Sequence, residues 1–525
     1  MLEWETSSLN SSIAIKMPGF IHLNSDDNIV VTTRTVSANE KMLVGNSELT
    51  SSQNVKIGHK IATEDITTDS PVRKFGQVIG YASSEIKAGD WVHSHNLQNG
   101  NIVLQHEKAC LIPDVLQKEP GLTFKGYRRA NGKVGTRNYI AVISTVNCSA
   151  TVSKFVARHF SAERLTAYPN VDGVIALTHE TGCGMKHQGT KHQMLNRVMG
   201  GFAKHANVGA YLIIGLGCEQ ATPGTLMIDQ NLVQIGGQNQ NETPVFSMQD
   251  LGGTKKTINA AIERVEELLP IANDIQRTVA PLSEIILGTE CGGSDGNSGV
   301  TANPALGITS DLIVANGGTS ILAETSEIYG AEHLLTRRAR TVEVADKLLE
   351  LIEWWKWYVG IFGEELDNNP SIGNKEGGLT TITEKSLGAI AKAGSTTLEA
   401  VYDYAEPVTQ KGMVIMDSPG FDPPSVTGMV AGGANVVCFT TGRGSCFGCK
   451  PVPTIKIASN TPMYERMVDD MDINAGKILD GETVENVGRE ILDEIILVAS
   501  GKKTKSELNG FGDEEFLPWT VGPVL

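Results

Sequence analysis

The fold class is indicated most clearly by Glu284-Ile285-Ile286-Leu287-Gly288-Thr289-Glu290-Cys291-Gly292-Gly293-Ser294-Asp295-Gly296. It opens with a short apolar run and passes directly into a glycine-rich turn that carries two carboxyl groups and a thiol. In open parallel sheets, ligands bind outside the carboxyl ends of the strands. The stretch therefore predicts a buried strand whose carboxyl end presents functional side chains.

The same pattern recurs along the chain beyond residue 126. Amphipathic helical segments, such as 258–269 and 342–352, lie between many of the apolar runs. Uniformly apolar strands that alternate with helices indicate a parallel sheet with both faces covered, so we predict a multidomain α/β protein. The apolar runs are Tyr139–Val146, Val174–Thr178, Ala210–Leu216, Glu284–Leu287, Ile321–Ala323, Met413–Met416 and Val436–Phe439.

Polar side chains follow six of these runs at the point where each strand is expected to end. A single cysteine in such a place is more often a small buried hydrophobe, but four of them favour a functional role. We therefore expect one active-site rim, with Asp295 and Glu324 beside a set of metal ligands. The candidate metal ligands are Cys148, His179, Cys183, Cys218, Glu219 and Cys291.

Three basic residues lie in loops where glycine allows close approach of an anion: Arg137, Lys375 and Arg443. Isolated basic residues are usually solvated surface charges, yet the glycine framing favours contact with an anionic substrate. His93 and His95 alternate, so on a strand they would face the same side and could also bind substrate. Cys446 and Cys449 have CxxC spacing without a second pair, which leaves a redox or metal role open.

The composition of the 525-residue chain excludes several classes of protein. A net charge of −16 without a basic run argues against nucleic acid as a partner. There is no apolar stretch of membrane-spanning length and no signal peptide, so we expect no membrane contact and a cytoplasmic protein. In that compartment the eight cysteines would be free thiols.

Changes in pattern along the chain predict five segments. Residues 1–18 form a polar, flexible extension, and 19–97 form a small β-rich domain with short strands between turns. Residues 98–125 are a linker, because they carry few periodic apolar positions. A middle α/β domain covers 126–275, and a carboxyl-terminal catalytic domain covers 280–525.

These motifs together resemble the altronate/galactarate dehydratase family over nearly the whole chain. The most specific segments are Glu290–Gly296 with Thr301–Pro304, and Asn369–Lys375. The resemblance implies an amino-terminal β-clip of the SAF type, a middle domain used to form a homodimer, and a Rossmann-like carboxyl-terminal domain. It also implies activity that depends on Fe²⁺, with Mn²⁺ or another divalent ion as a replacement.

Two features bear on the substrate. Ser445–Cys449 stands where many members of the family resemble one another with Thr-Pro-Tyr-Gly, which leaves the substrate open. By contrast, Asn316–Ser320, Ile328–Glu332 and His93–Asn96 resemble the altronate branch more closely than the galactarate branch.

The expected reaction removes water from a sugar acid such as altronate and yields a 2-keto-3-deoxy acid. His179 and Glu324 are the candidate acid and base, with Asp295 nearby, because elimination needs both a proton acceptor and a proton donor. Other hypotheses stay open: galactarate or another aldonate or aldarate as substrate, release of sulfite from a sulfonated hydroxy acid, and a labile iron–sulfur cluster as the cofactor. A non-catalytic sugar-acid sensor is the hypothesis from a different class.

Overall fold

The structure, a computed structural model, describes residues 15–17, 19–45, 47–100, 102, 104–232 and 245–522. The predicted flexible extension, 1–18, lies outside the described residues except for 15–17, which form a short strand. Within these ranges, no helix is both long enough and apolar enough to cross a membrane.

The amino-terminal domain is built from short antiparallel strands. Five of them form one sheet in the order β1-β2-β3-β6-β9, three form a second sheet in the order β10-β8-β7, and β4 pairs with β5. The strands are β1 Ile15–Met17, β2 Phe20–His22, β3 Ile29–Thr32, β4 Lys41–Val44, β5 Ser47–Thr50, β6 Lys60–Ala62, β7 Pro71–Lys74, β8 Gln77–Ala82, β9 Trp91–Val92 and β10 Leu97–Gln98.

The middle domain is a four-stranded parallel sheet in the order β14-β13-β15-β16. The described residues of 99–122, before this domain, form no helix or strand. The elements are β11 Thr123–Arg128, β12 Val134–Gly135, β13 Tyr139–Ser144, α1 Asn147–His159, β14 Gly173–Leu177, α2 Thr190–Ala203, β15 Val208–Gly215, α3 Pro223–Asp229, β16 Val245–Ser247, α4 Thr254–Asn273 and β17 Thr278–Pro281; β11 pairs with β12 and β17 in a separate small sheet.

The carboxyl-terminal domain contains a seven-stranded, wholly parallel sheet. Its strand order is β20-β21-β19-β18-β22-β23-β24, so the order reverses beside β18. The elements are β18 Ile286–Cys291, α5 Ala302–Ala315, β19 Thr319–Leu322, α6 His333–Thr336, α7 Val342–Ile361, α8 Ile372–Glu376, α9 Ile382–Ala389, β20 Leu398–Tyr402, β21 Gly412–Met416, α10 Asp422–Gly432, β22 Val436–Thr441, β23 Thr454–Ala458, α11 Thr461–Arg466, β24 Ile473–Asn474, α12 Val484–Ala499 and α13 Lys505–Leu508.

Short 3-10 helices occur among these elements. They are Arg164–Ala167, Leu282–Glu284, Thr325–Glu327, Leu366–Asn368, Ile390–Ala393 and Ala475–Asp480.

Both parallel sheets are covered on both faces, as uniformly apolar strands require. In β13, Ile140 and Val142 pack in the cluster that includes α1 and α4, whereas Ala141 and Ile143 pack in the cluster that includes α2. This alternation follows from the two-residue period of a strand. The predicted α/β class with several domains is confirmed, and the reversal of strand order beside β18 creates the place where such sheets bind ligands.

Candidate active site

The carboxyl end of β18 leads into a buried acidic cluster. The Cys291 Sγ atom lies 3.4 Å from Glu324 Oε2 and 3.8 Å from Glu327 Oε2. In the part of the chain that the structure describes, two groups of three potential metal-ligand atoms lie within 4.8 Å of one another, and both belong to this cluster. One is Cys291, Glu324 and Glu327, and the other is Glu290, Glu324 and Asp422.

Two buried lysines offset part of the negative charge. Lys392 Nζ lies 2.5 Å from Glu324 Oε2, and Lys385 Nζ lies 2.6 Å from Glu327 Oε1. With four carboxyl groups in the cluster and two ammonium groups paired to it, full ionisation leaves two negative charges unbalanced. The Oε1 atoms of Glu290 and Glu324 are buried and have no hydrogen-bond partner among the described residues, which is unusual for buried polar atoms.

Burial also changes the protonation of the cluster. It raises the pKa of Glu290 well above its usual range, and the Glu324 and Asp422 carboxylates raise it further. Burial, together with Glu324, raises the pKa of Asp422 to about 7. Burial likewise raises the pKa of the Cys291 thiol. Although burial alone would lower the pKa of Lys392, the neighbouring Cys291 and Glu324 groups raise it, so this lysine stays charged.

The backbone at Glu324 is in a strained conformation. Its φ of 63° lies in the left-handed region that non-glycine residues avoid, and its N–H donates to Ser418 Oγ over 2.8 Å. Such strain persists where the surroundings over-determine the conformation, often at functional sites. The turn after β19 is therefore held so that the Glu324 carboxylate meets the end of β18.

The amino-terminal domain contributes a second buried charge group. Lys60 Nζ donates to both oxygens of Glu384, at 2.8 and 3.0 Å, and to the Gly378 carbonyl. Lys74 Nζ donates to Glu384 Oε1 over 2.9 Å and to the Gly296 carbonyl over 3.3 Å. Two ammonium groups share one carboxylate, so this lysine pair carries one excess positive charge when all three groups are ionised.

A cavity separates the acidic cluster from the lysine pair. It is small and partly open: the empty space among its lining residues is about 270 Å³, but this figure includes open solvent. It lies between the amino-terminal and carboxyl-terminal domains beside the reversal of strand order. Its charged and polar lining residues are Lys74, Cys291, Ser294, Asp295, Ser298, Asn303, Glu384 and Lys385.

Asp295 lies in the wall of this cavity and orders the surrounding loops. Its carboxylate accepts hydrogen bonds from Ser298 Oγ, Ser459 Oγ and Asn460 Nδ2, at 2.7–3.0 Å. Burial raises the pKa of Asp295, although these hydrogen bonds act in the opposite direction.

Other predicted substrate-binding residues lie near the cavity. Arg443 is exposed and its Nη2 lies 3.3 Å from Glu376 Oε2, while its N–H donates to the Gly293 carbonyl. His93 Nε2 donates to the Lys375 carbonyl over 2.8 Å, which joins the amino-terminal domain to α8.

The expectation that His93 and His95 share one face of a strand is wrong. Strand β9 ends at Val92, because the backbone turns there and the Asn96 side chain accepts from the His93 N–H. His93 is buried in the interface. His95 is exposed and packs against the Trp91 ring, with 5.1 Å between ring centroids.

Comparisons with known proteins match each of the three domains. The altronate/galactarate dehydratase SAF domain matches residues 18–100, the second domain of D-galactarate dehydratase/altronate hydrolase matches 126–273, and the D-galactarate/altronate dehydratase carboxyl-terminal domain matches 282–524. Altronate dehydratases of Bacillus subtilis (strain 168) and Escherichia coli (strain K12) are 34% and 35% identical over 503 residues, which cover 94% of this chain and 98% and 97% of those proteins.

The chain belongs to the altronate/galactarate dehydratase family. The galactarate dehydratase (L-threo-forming) of E. coli is also similar, with 37% identity over 457 residues that cover 86% of this chain and 87% of that protein. The predicted class of enzyme, a hydro-lyase that acts on sugar acids, is confirmed, as is the SAF assignment of the amino-terminal domain.

In this member of the family, Arg137 is not a substrate ligand, contrary to the prediction. Its guanidinium is fully buried and all of its donors are used within the protein: Nε and Nη2 bind the Glu507 carboxylate, Nη2 also binds the Lys502 carbonyl, and Nη1 binds the carbonyls of Thr136 and Val498. Arg137 therefore fastens the end of α12 and α13 to the middle domain.

The predicted metal ligands are divided between the two parallel sheets. Cys291 belongs to the carboxyl-terminal sheet, whereas the remaining candidates lie at the carboxyl edge of the middle sheet. The two predicted acid–base residues, His179 and Glu324, are divided in the same way. The candidates on the middle sheet are Cys148, His179, Cys183, Cys218 and Glu219.

Proposed function

We propose that this enzyme dehydrates a sugar monocarboxylate of the altronate type to a 2-keto-3-deoxy acid, with a divalent cation in the acidic cluster. The observation that carries the proposal is the opposite charge on the two sides of the cavity. When every group is ionised, the acidic cluster, which reaches the cavity through Cys291 and Lys385, has an excess of two negative charges. The lysine pair, which reaches it through Lys74 and Glu384, has an excess of one positive charge. A cation and the carboxylate of a hydroxy acid would balance them.

The acidic cluster fits a divalent cation. The unpartnered Oε1 atoms of Glu290 and Glu324, with Asp422 beside them, would hold it, and Cys291 lies next to them. Oxygen ligands with one adjacent thiol suit Fe²⁺ or Mn²⁺ better than Mg²⁺. When bound, such an ion stabilises the negative charge that develops on the substrate carboxylate and polarises the departing hydroxyl.

Side chains of the chain itself would position the substrate and move its protons. The Lys74 ammonium, held by Glu384 at the cavity wall, binds the substrate carboxylate. The Asp295 carboxylate accepts the proton from the carbon next to that carboxylate, since a raised pKa makes it a stronger base. The Lys385 ammonium, paired with Glu327, donates a proton to the departing hydroxyl.

Two observations favour altronate over galactarate as the substrate. The altronate dehydratases align over 94% of this chain, against 86% for the galactarate enzyme. In addition, the lysine pair supplies a single buried positive charge, which suits a substrate with one carboxylate rather than two.

The test is a turnover assay on anaerobically purified protein after removal of metal and addition of Fe²⁺, Mn²⁺ or Mg²⁺. The panel contains altronate, galactarate and a sulfonated hydroxy acid, and both keto acid and sulfite are measured. We expect keto acid from altronate with Fe²⁺ or Mn²⁺, and loss of turnover in Glu290→Gln. Lys356→Gln, an exposed charge change on α7, is the matched control and should leave turnover unchanged. Sulfite release, or binding without turnover, would refute the proposal.

A further inference from the structure

The carboxyl edge of the middle sheet holds a second polar site that the proposed dehydration does not use. Three exposed thiols lie there, one after each of three neighbouring strands. Cys148 follows β13, Cys183 follows β14 and Cys218 follows β15. Because the strands are parallel and adjacent, their carboxyl ends bring the three loops to the same place.

Backbone hydrogen bonds tie these loops to one another. The Asn147 N–H donates to the Thr181 carbonyl over 2.9 Å. The N–H groups of Gln220 and Ala221 both donate to the Gly182 carbonyl, at 3.0 and 3.1 Å. Each contact lies within three residues of a thiol, so the three thiol-bearing loops form one connected unit.

The turns that carry the thiols are also fixed in shape. Gly182 has a φ of 102°, and a Cβ added there would lie 2.4 Å from the Thr145 carbonyl oxygen. The Glu219 carboxylate accepts from the N–H groups of Leu216 and Gly217, at 3.2 and 2.7 Å, and from Thr145 Oγ1. Glu219 is thus occupied in holding the turn before Cys218.

Two buried imidazoles beside the thiols have nitrogen atoms without a hydrogen-bond partner among the described residues. They are Nε2 of His179 and Nδ1 of His192. The other nitrogen of His179 accepts from the Thr181 N–H, and the other nitrogen of His192 binds the Gln220 carbonyl, so both rings contact the thiol-bearing loops. A buried nitrogen without a partner is rare, and a bound water or ligand at this edge would supply one.

The spacing of the thiols favours one of two kinds of ligand. At least one pair of the three sulfur atoms is more than 4.8 Å apart, unlike the ligand atoms of the acidic cluster. A single ion bound at about 2.3 Å by three thiolates would need the sulfurs within roughly 4 Å of each other. A polynuclear iron–sulfur cluster joins thiolates that are farther apart.

We propose that Cys148, Cys183 and Cys218 together bind an iron–sulfur cluster, which leaves one iron without a cysteine ligand. The site is distinct from the cavity in which we place the dehydration. The exposed thiols can accept the cluster without unfolding of the domain, and His179 and His192 contact the loops that carry the thiols.

The test is the cofactor content of the full chain purified without oxygen. We expect broad absorbance near about 400 nm and about four iron and four acid-labile sulfide per chain. Cys148→Ser, Cys183→Ser and Cys218→Ser should each lose at least half of the sulfide and most of the absorbance. Cys110→Ser and Cys446→Ser, which change exposed thiols elsewhere in the chain, are the matched controls and should keep both.

A thermal melt of each variant establishes that it is folded, as expected for changes at exposed positions. Glu290→Gln separates the two proposals, because it should lose dehydration and keep the absorbance and the sulfide. Absence of labile sulfide, sulfide retained by the triple serine variant, or bound zinc in place of iron and sulfide would each overturn the inference.

Discussion

At the scale of the residue, the two arginines that the sequence places in similar glycine-framed loops have opposite environments. Arg137 is buried against Glu507, whereas Arg443 is 46% exposed beside the cavity and pairs only with the exposed Glu376. We expect Arg137→Ala to lower the free energy of unfolding by about 3–5 kcal/mol, with KM unchanged in the folded fraction, since it removes the cation paired with the largely buried Glu507 carboxylate and leaves the carbonyls of Thr136, Val498 and Lys502 without their donor. Arg443→Ala should leave stability unchanged and raise KM about tenfold, because the exposed guanidinium beside the cavity would no longer form a charge-assisted hydrogen bond with the anionic substrate. Denaturant melts and steady-state kinetics on both variants check this; the reverse assignment of effects would contradict it.

The protonation of Lys60 should make both substrate binding and stability depend on pH. Burial lowers the pKa of Lys60 to about 8, although Glu384 acts to raise it, against 10.5 in the unfolded chain. Above about pH 8 the lysine pair loses its excess positive charge, so KM should rise. Over the same range the unfolded state binds more protons than the folded state, so the Lys60 contribution to the free energy of unfolding should increase with pH.

Activity and stability should therefore change in opposite directions between about pH 8 and 10. Kinetic pH profiles and denaturant melts at fixed metal concentration measure the two trends. Lys60→Met should remove the alkaline rise in KM; a variant that kept it would assign the titration to another group.

At the scale of the element, α9 links the two charge groups, since Glu384 and Lys385 are consecutive on it. Thr381 caps this helix by accepting from the Glu384 N–H, and its hydroxyl donates to the Ile79 carbonyl of the SAF domain. Thr381→Ala should cost about 1–2 kcal/mol of stability and raise KM several-fold, because Glu384 shifts. Thr483→Ala removes the exposed cap of α12 and should cost about 1 kcal/mol with KM unchanged. Equal KM values in the two variants would show that the cap does not position the site.

The sequence predicts the strands well and the buried charges poorly. All seven apolar runs are strands of the two parallel sheets, because a strand buried on both faces must be apolar along its length. The edge strands β16 and β24 and the less uniformly apolar β20 and β23 were not predicted. The burial of Glu384 and Lys385 was not predicted from the sequence, because a charged pair on a short helix usually faces solvent. Only the folded structure shows that both side chains are buried.

At the scale of the whole molecule, the presence of two parallel sheets explains why the site residues were predicted only in part. The end of a predicted strand shows which side chains lie at the carboxyl edge of a sheet. The chain has two parallel sheets, however, and the apolar pattern does not show to which sheet each strand belongs. Cys291, Asp295 and Glu324 lie at one sheet, and Cys148, Cys183 and Cys218 lie at the other. Lys60 and Lys74 come from short SAF strands, where lysine is common on exposed faces, so their burial depends on how the domains dock.

Docking of the SAF domain depends on close contact between its backbone and that of the carboxyl-terminal domain. A Cβ added at Gly296 would lie 1.8 Å from the Gly58 carbonyl oxygen, and one at Gly378 would lie 2.4 Å from the same atom. Gly296→Ala must therefore push the SAF domain and Lys74 away from the cavity. A shift of about 1 Å at such a site can cost about a hundredfold in rate, so we expect that loss in kcat/KM together with faster proteolysis within residues 99–122. Gly360→Ala, on α7 with no heavy atom within 4 Å of the added carbon, is the matched control and should change neither measurement. Wild-type kcat/KM and protease resistance in Gly296→Ala would mean that the lysine pair acts without close docking of the two domains.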